Sequence, residues 1–314
     1  MNVRVGKTRM PYQTQCVLLV TFLFVLMLNP PLSLLSDDLL IYIVDHVAEL
    51  PSSNLDLYNL SITDRAFTRS CQAYIFKVLS LESGINTNIS KKLAKIRNIL
   101  NDEPSFANRV RTVHLTVLDE QNKWLFNDSD FITIIQLLAR SLMPPHKLRL
   151  DLIVIEDPIF LVGWLMQSFF SQTLTVLNLL DCKNVPLTLF LVCPNLREVH
   201  LDVVEVFESK LGDDEYPDTQ CSGRELPALE LLSFCRSETL IKQMITPPPK
   251  FSMPVVDWSK LRVLELNPQR VTDMVCLQLI LDVACNTVEE LYIITSCLHV
   301  TWGIGGKMWL FFSI

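Results

Sequence analysis

The sequence predicts an α/β chain in which parallel strands, each returned by a helix, repeat along its length. One observation is a phrase, apolar-x-x-apolar-x-apolar, that recurs beyond residue 105. It reads "VRTVHL" at 110–115, "LTVLNLLDC" at 174–182, "LREVHLDVV" at 196–204, "LELLSF" at 229–234, "LRVLEL" at 261–266 and "VEELYI" at 288–293. A second is "LRLDLIVI" at 148–155, which alternates strictly, as a strand with two unlike faces does. The third is the set of helix-like runs between them: "FITIIQLLARSL", "IFLVGWLMQSFF", "SETLIKQMI" and "TDMVCLQLILDVA". Strand then helix, repeatedly, calls for parallel strands, because the helix carries the chain back to the end where the last strand began.

The copy at Leu174, Leu177, Leu179, Cys182 and Val185-Pro186 fits the leucine-rich-repeat template L-x-x-L-x-L-x-x-C-x-x-apolar. Residues 109–294 are therefore expected to form an irregular solenoid of parallel strands and helices. A doubly wound sheet also alternates strand and helix, but no glycine-rich turn follows the first strand. The "x" positions of the phrase face the concave side of such a solenoid. Thr112, His114, Asn178, Glu198, His200, Glu265 and Tyr292 are thus the expected contacts to a protein substrate. His114 and His200 stand at equivalent points before a strand leucine, which marks a structural position of the repeat. Two insertions interrupt the pattern: acidic "EVFESKLGDDEYPDTQ" (205–220) and proline-rich "TPPPKFSMP" (246–254). Each reads as a solvated spacer or as a ligand-contacting loop. The tail, 295–314, is expected to be irregular.

At 314 residues and 49 % hydrophobic, the chain can bury a sizeable core. Residues 1–31 carry Arg4, Lys7 and Arg9 and no acid, so the remaining 24 bases face 34 acids. A surface that acidic argues against nucleic acid as a partner. The nine cysteines form no C-x-x-C pair and no metal-ligand spacing, and read as small hydrophobes in a reducing compartment. Three sequons occur, at Asn59, Asn88 and Asn127, with Asn59 expected inside a helix.

From Cys16 to Leu28 the chain is apolar save for Thr21, behind a basic stretch. The run is shorter than the roughly 20 residues of a membrane span and nearer a signal-peptide core. Residues 1–31 are read either as a targeting or anchoring extension or as a gene-model artefact.

Residues 34–80 have clear helix logic and read as about three short helices. Ser36 is placed to cap the first, with Asp37 and Asp38 where the helix dipole favours negative charge. Leu35, Leu39, Ile43 and Val47 recur at i+4, with Leu40 and Val44 in the same stripe. Leu57, Leu60, Phe67, Cys71, Tyr74, Ile75 and Val78 continue the helical pattern.

"LLSDDLLIYIVDHV", "SSNLDLYNLSITDRAF" and "CQAYIFK" resemble an F-box, of the fungal kind coupled to leucine-rich-repeat-like arms. Ser36 stands where that motif usually has proline, and Phe67 where it commonly has tryptophan. The resemblance implies a small three-helix domain over residues 32–80 and a helical linker over 81–108. It also implies a partner, the Skp-type adaptor of a cullin-RING ubiquitin ligase. Leu35, Asp38, Leu39, Leu40, Ile43 and Leu57 are the implied adaptor contacts, although the leucines would equally serve as a bundle core.

No G-x-S-x-G, H-E-x-x-H, Walker A or dinucleotide motif is present, and neither a cofactor nor a metal is expected. The acidic pairs Glu156-Asp157 and Asp213-Asp214 read as solvated turns. The expected function is non-enzymatic: a substrate-recruiting F-box subunit acting in the cytoplasm or nucleus. The alternative is a leucine-rich-repeat binding module, membrane-anchored or secreted through residues 16–28.

Overall fold

The computed structural model describes residues 36–50, 53–83, 88–117, 123–154, 161–207, 225–247, 254–295 and 308–312. Its contacts divide the chain into two compact units, Met1–Phe76 and Lys77–Ile314. The apolar run at 16–28, Leu35, both acidic pairs and most of the two insertions lie outside the described residues.

In the first unit, α1 (Asp37–Ala48), α2 (Ser53–Thr63) and α3 (Arg65–Ile75) enclose one small core. Leu40, Ile43, Val44 and Val47 meet Leu57, Leu60, Phe67 and Cys71 there, all buried. Ser36 occupies the N-cap of α1, but its hydroxyl makes no cap bond and its carbonyl accepts from the Leu39 and Leu40 amides. Asp64 breaks what reads as continuous helix, because its carboxylate takes the Ala66 amide at 2.8 Å and caps α3. Tyr74 closes the bundle, donating to Asp45 Oδ1 at 2.7 Å.

The second unit is α/β. Its strands are β1 (Val78–Ser83), β2 (Thr112–Val117), β3 (Lys147–Asp151), β4 (Val176–Leu180), β5 (Glu198–Asp202), β6 (Leu231–Cys235), β7 (Val263–Leu266), β8 (Glu290–Thr295) and β9 (Met308–Phe312). They lie side by side in chain order. Strands β1 to β8 are mutually parallel, and β9 runs antiparallel to β8. The returns include α4 (Ile89–Asp102), α5 (Lys123–Asn127), α6 (Ser129–Ala139), a π-helix (Leu161–Phe170), α7 (Thr188–Leu191), α8 (Glu238–Ile245) and α9 (Val271–Ala284).

Two sequence expectations are corrected. Val78, assigned to a helix because it follows Tyr74 at i+4, opens β1, and residues 78–83 of the supposed domain and linker form a strand. The segment "VLSLES" alternates in burial, with Leu79, Leu81 and Ser83 on the inner side, and pairing it with β2 hides Leu81 completely. The tail is not wholly irregular either, since Met308–Phe312 pairs with β8 and so occupies an edge that would otherwise present bare backbone.

The register sorts the side chains. Val113, Leu148, Leu177, Val199, Leu232, Leu264 and Leu291 align across the sheet, as do Leu115, Leu150, Leu179, Leu201, Phe234 and Leu266 two residues on. Both rows belong to one buried cluster that also takes in Leu93, Phe131, Ile134, Met166, Ile241 and Ile280 from the returning helices. The residue after β3, β4, β5 and β6 is left-handed each time: Leu152 (φ 58), Asp181 (φ 49), Val203 (φ 56) and Arg236 (φ 45). This conformation keeps the ladder going, with the Leu152, Asp181 and Val203 amides donating to Leu180, Asp202 and Cys235 carbonyls at 2.8, 2.8 and 3.0 Å. It also turns Ile153, Cys182, Val204 and Ser237 into the interior.

A β-branched residue is strained in that conformation, at about 1–2 kcal/mol. Val203→Gly should therefore raise the urea midpoint, by about 1 kcal/mol of stability, opposite in sign to glycine within a strand. A lower midpoint would show that the Val203 side chain contributes more than its backbone costs.

Candidate functional site

The expected substrate contacts converge. Thr112 and Glu198 fall in one cross-strand row with Lys147, Val176, Leu231, Val263 and Glu290. His114, Asn178, His200, Glu265 and Tyr292 fall in the next, with Ser80, Arg149 and Ser233 between them. All seven thus share the sheet face opposite the leucine rows, since side chains two apart in a strand point the same way. His114 and His200 occupy the same row, as their equivalent places in the phrase suggest.

At the β2–β3 end the face is closed on itself. His114 Nε2 lies 2.8 Å from Asp151 Oδ2, and Thr116 Oγ1 lies 3.0 Å from the same nitrogen. Arg149 Nε donates to both Asp151 oxygens, at 2.9 and 3.0 Å, and this carboxylate holds the guanidinium pKa above its usual value. Asp151 is buried, so the histidine and the guanidinium are what satisfy it. Arg149 and Asp151 were absent from the expected set, yet the alternation of "LRLDLIVI" marks both.

Toward β8 the face is poor in donors. Asn178 Oδ1 is fully buried and no donor among the described residues reaches it. Glu198 and Glu265 are half-buried, and among the described residues neither has a cation within ion-pair distance. Between them His200 is driven below the usual histidine pKa by burial, against the pull of Glu265 and Glu198 and with a smaller push from Lys147. Tyr292 donates to Glu290, which raises the phenol's pKa.

The implied adaptor contacts do not converge. Leu40, Ile43 and Leu57 are 5 %, 7 % and 2 % exposed and belong to the core of the three-helix unit, so as adaptor contacts they are corrected. Asp38 and Leu39 are exposed. Further exposed apolar surface of this unit lies on Leu55, Tyr58 and Ile62 of α2, at 64 %, 56 % and 67 % exposure, and on Ile41 and Tyr42 of α1. Residues 55, 58 and 62 are spaced i, i+3, i+7 and form one stripe, opposite the face that Leu57 and Leu60 bury. The sequence carries this signal, because α2 is apolar on both sides, with Leu55, Tyr58 and Ile62 opposite Leu57 and Leu60.

A polar groove of about 550 Å³ opens beyond the carboxyl ends of β5 and β6, lined among others by Asn184, Glu205, Arg236, Glu238 and Arg270. Its rim is tied down by Asp273, a fully buried carboxylate that accepts the Arg236, Gln269 and Arg270 amides at 3.2, 2.8 and 3.0 Å. Among the described residues no group of three or more His, Cys, Asp or Glu has metal-binding geometry. Nor is any described helix long and apolar enough to cross a membrane. The buried thiols are inert positions, Cys182 and Cys193 both being pushed up to about 12 by burial.

The depressed His200 pKa has a definite consequence for stability. Below the unfolded pKa near 6.5 the unfolded chain takes the proton more readily than the folded one, so stability falls as pH drops through that value. His200→Gln should lose less stability between pH 7 and pH 5 than the wild type in urea titrations. Equal losses would remove His200 from the account. Comparison of the chain with protein-family models, with curated proteins and with solved structures gave no match.

Proposed function

We propose that the chain is a substrate-recruiting F-box subunit of a Skp–cullin–RING ubiquitin ligase. The three-helix unit docks the Skp-type adaptor, and the second unit, a leucine-rich-repeat-like solenoid, presents its polar sheet face to a protein substrate. The reaction chemistry is then supplied by other subunits, and the place of action is the cytoplasm or nucleus.

The observation that carries this reading is the double use of α2. A helix buried on one face by Leu57 and Leu60 exposes Leu55, Tyr58 and Ile62 on the other. Aromatic and aliphatic side chains in a stripe are suited to burial against a partner's helices. The adaptor contacts are accordingly reassigned to Leu39, Leu55, Tyr58 and Ile62, with Asp38 beside them. The solenoid reading draws support from strand order. Eight parallel strands in chain order have no switch point, whereas a doubly wound sheet reverses direction at one.

Binding of the purified chain to a recombinant Skp-type adaptor tests the proposal. Tyr58→Asp/Ile62→Asp, changed only at exposed positions, should remain folded by circular dichroism and bind at least about tenfold more weakly. A folded wild type that does not bind the adaptor, or a double variant that binds equally, would contradict it.

A further inference from the structure

We infer that the donor-poor part of the sheet face, from β4 to β8, receives a basic, extended segment of the partner protein. This deepens the substrate-arm reading by naming the chemistry of what is held, and rests on it. Across β1 to β8 the face carries two bases, Lys147 and Arg149, against six acids, Glu82, Asp151, Glu198, Asp202, Glu265 and Glu290. The imbalance is sharper than the tally, because Arg149 is already committed to Asp151. Every base on the face lies on β3; Asp202 pairs with Arg236 from just beyond β6, and among the described residues Glu198, Glu265 and Glu290 have no cation at ion-pair distance.

A second observation points the same way and does not depend on charge. Asn178 Oδ1 is out of contact with solvent, and among the described residues nothing donates to it. Buried acceptors without donors cost free energy, and lysine and arginine side chains are donors only, so a cationic segment satisfies both demands at once. The spacing also constrains the segment. Glu198 and Glu265 stand two strands and two residues apart, roughly 12 Å in a flat sheet. Side chains at i and i+4 of an extended chain are roughly 13 Å apart on the same side. Two cations four residues apart therefore match the two carboxylates.

The probe is a fluorescein-labelled peptide, Gly-Arg-Gly-Ser-Gly-Arg-Gly, beside the same peptide with glutamate for arginine. Each is titrated against the full chain by fluorescence anisotropy at low ionic strength, with no adaptor present. The arginine peptide should bind saturably and the glutamate peptide should not. Glu198→Gln/Glu265→Gln should weaken binding by at least about tenfold, as two charge-assisted contacts are lost. Asp102→Asn/Glu103→Gln makes the same change in net charge on an exposed stretch and should weaken it less than about twofold. Absence of saturable binding, equal effects of the two double variants, or binding of the glutamate peptide would each overturn the inference. Because adaptor binding is read separately, failure here leaves the F-box proposal standing, and failure of adaptor binding leaves this one.

Discussion

The shared register of the parallel strands governs everything else in the second unit. A strand presents alternate residues to opposite faces, so a slip of one residue would exchange the leucine rows with the row containing His114, Asn178, His200 and Glu265. Burying those polar groups in place of Leu115, Leu179 and Leu201 would cost several kcal/mol at each strand, which is why the register is held so uniformly. The left-handed residues at the strand ends serve the same constraint. By keeping the amides of Leu152, Asp181 and Val203 in the ladder, they extend the pairing past the last regular residue and end each strand at the same level.

Function, on this account, follows from what the register leaves over. Helices cover the leucine face, and on the opposite one polar residues from strands far apart in sequence come to lie a few ångströms apart. That face is uneven: the His114–Asp151–Arg149 network is internally satisfied, while among the described residues Asn178 Oδ1 has no donor and Glu198 and Glu265 have no cation at ion-pair distance. The first unit makes the same division on the scale of a single helix, with Leu57 and Leu60 spent on the core and Tyr58 and Ile62 kept outside.

Strand positions were readable because an apolar-x-x-apolar-x-apolar phrase can bury its leucines only in extended pairing, and β2 to β8 arise from it or from the alternation at 148–155. The face of the seven expected contacts was readable for the same reason. β1 was not, because Val78 continues the i+4 spacing of Tyr74 and its strand is seen only once β2 is beside it. The assignment of Leu40, Ile43 and Leu57 to a partner failed on a different point: periodicity shows which residues share a face, not whether that face is the one a small domain must bury to exist. The left-handed ladder was illegible in a chain with eight glycines, since Leu, Asp, Val and Arg give no local sign of it. Asp273 escaped for a like reason, its three donors being backbone amides brought together only by the fold.

One register runs through eight strands laid in chain order. Spin labels on a background lacking reactive cysteines, one at Val78 and the other at Glu198, Leu231 or Glu290, sample a single cross-strand row. Double electron–electron resonance should give distances that increase in that order, with flat-sheet ceilings of roughly 19, 24 and 34 Å at about 4.8 Å per strand. A distance that falls between any two successive positions would mean that the strands are not in chain order, and the polar row would not exist as a surface.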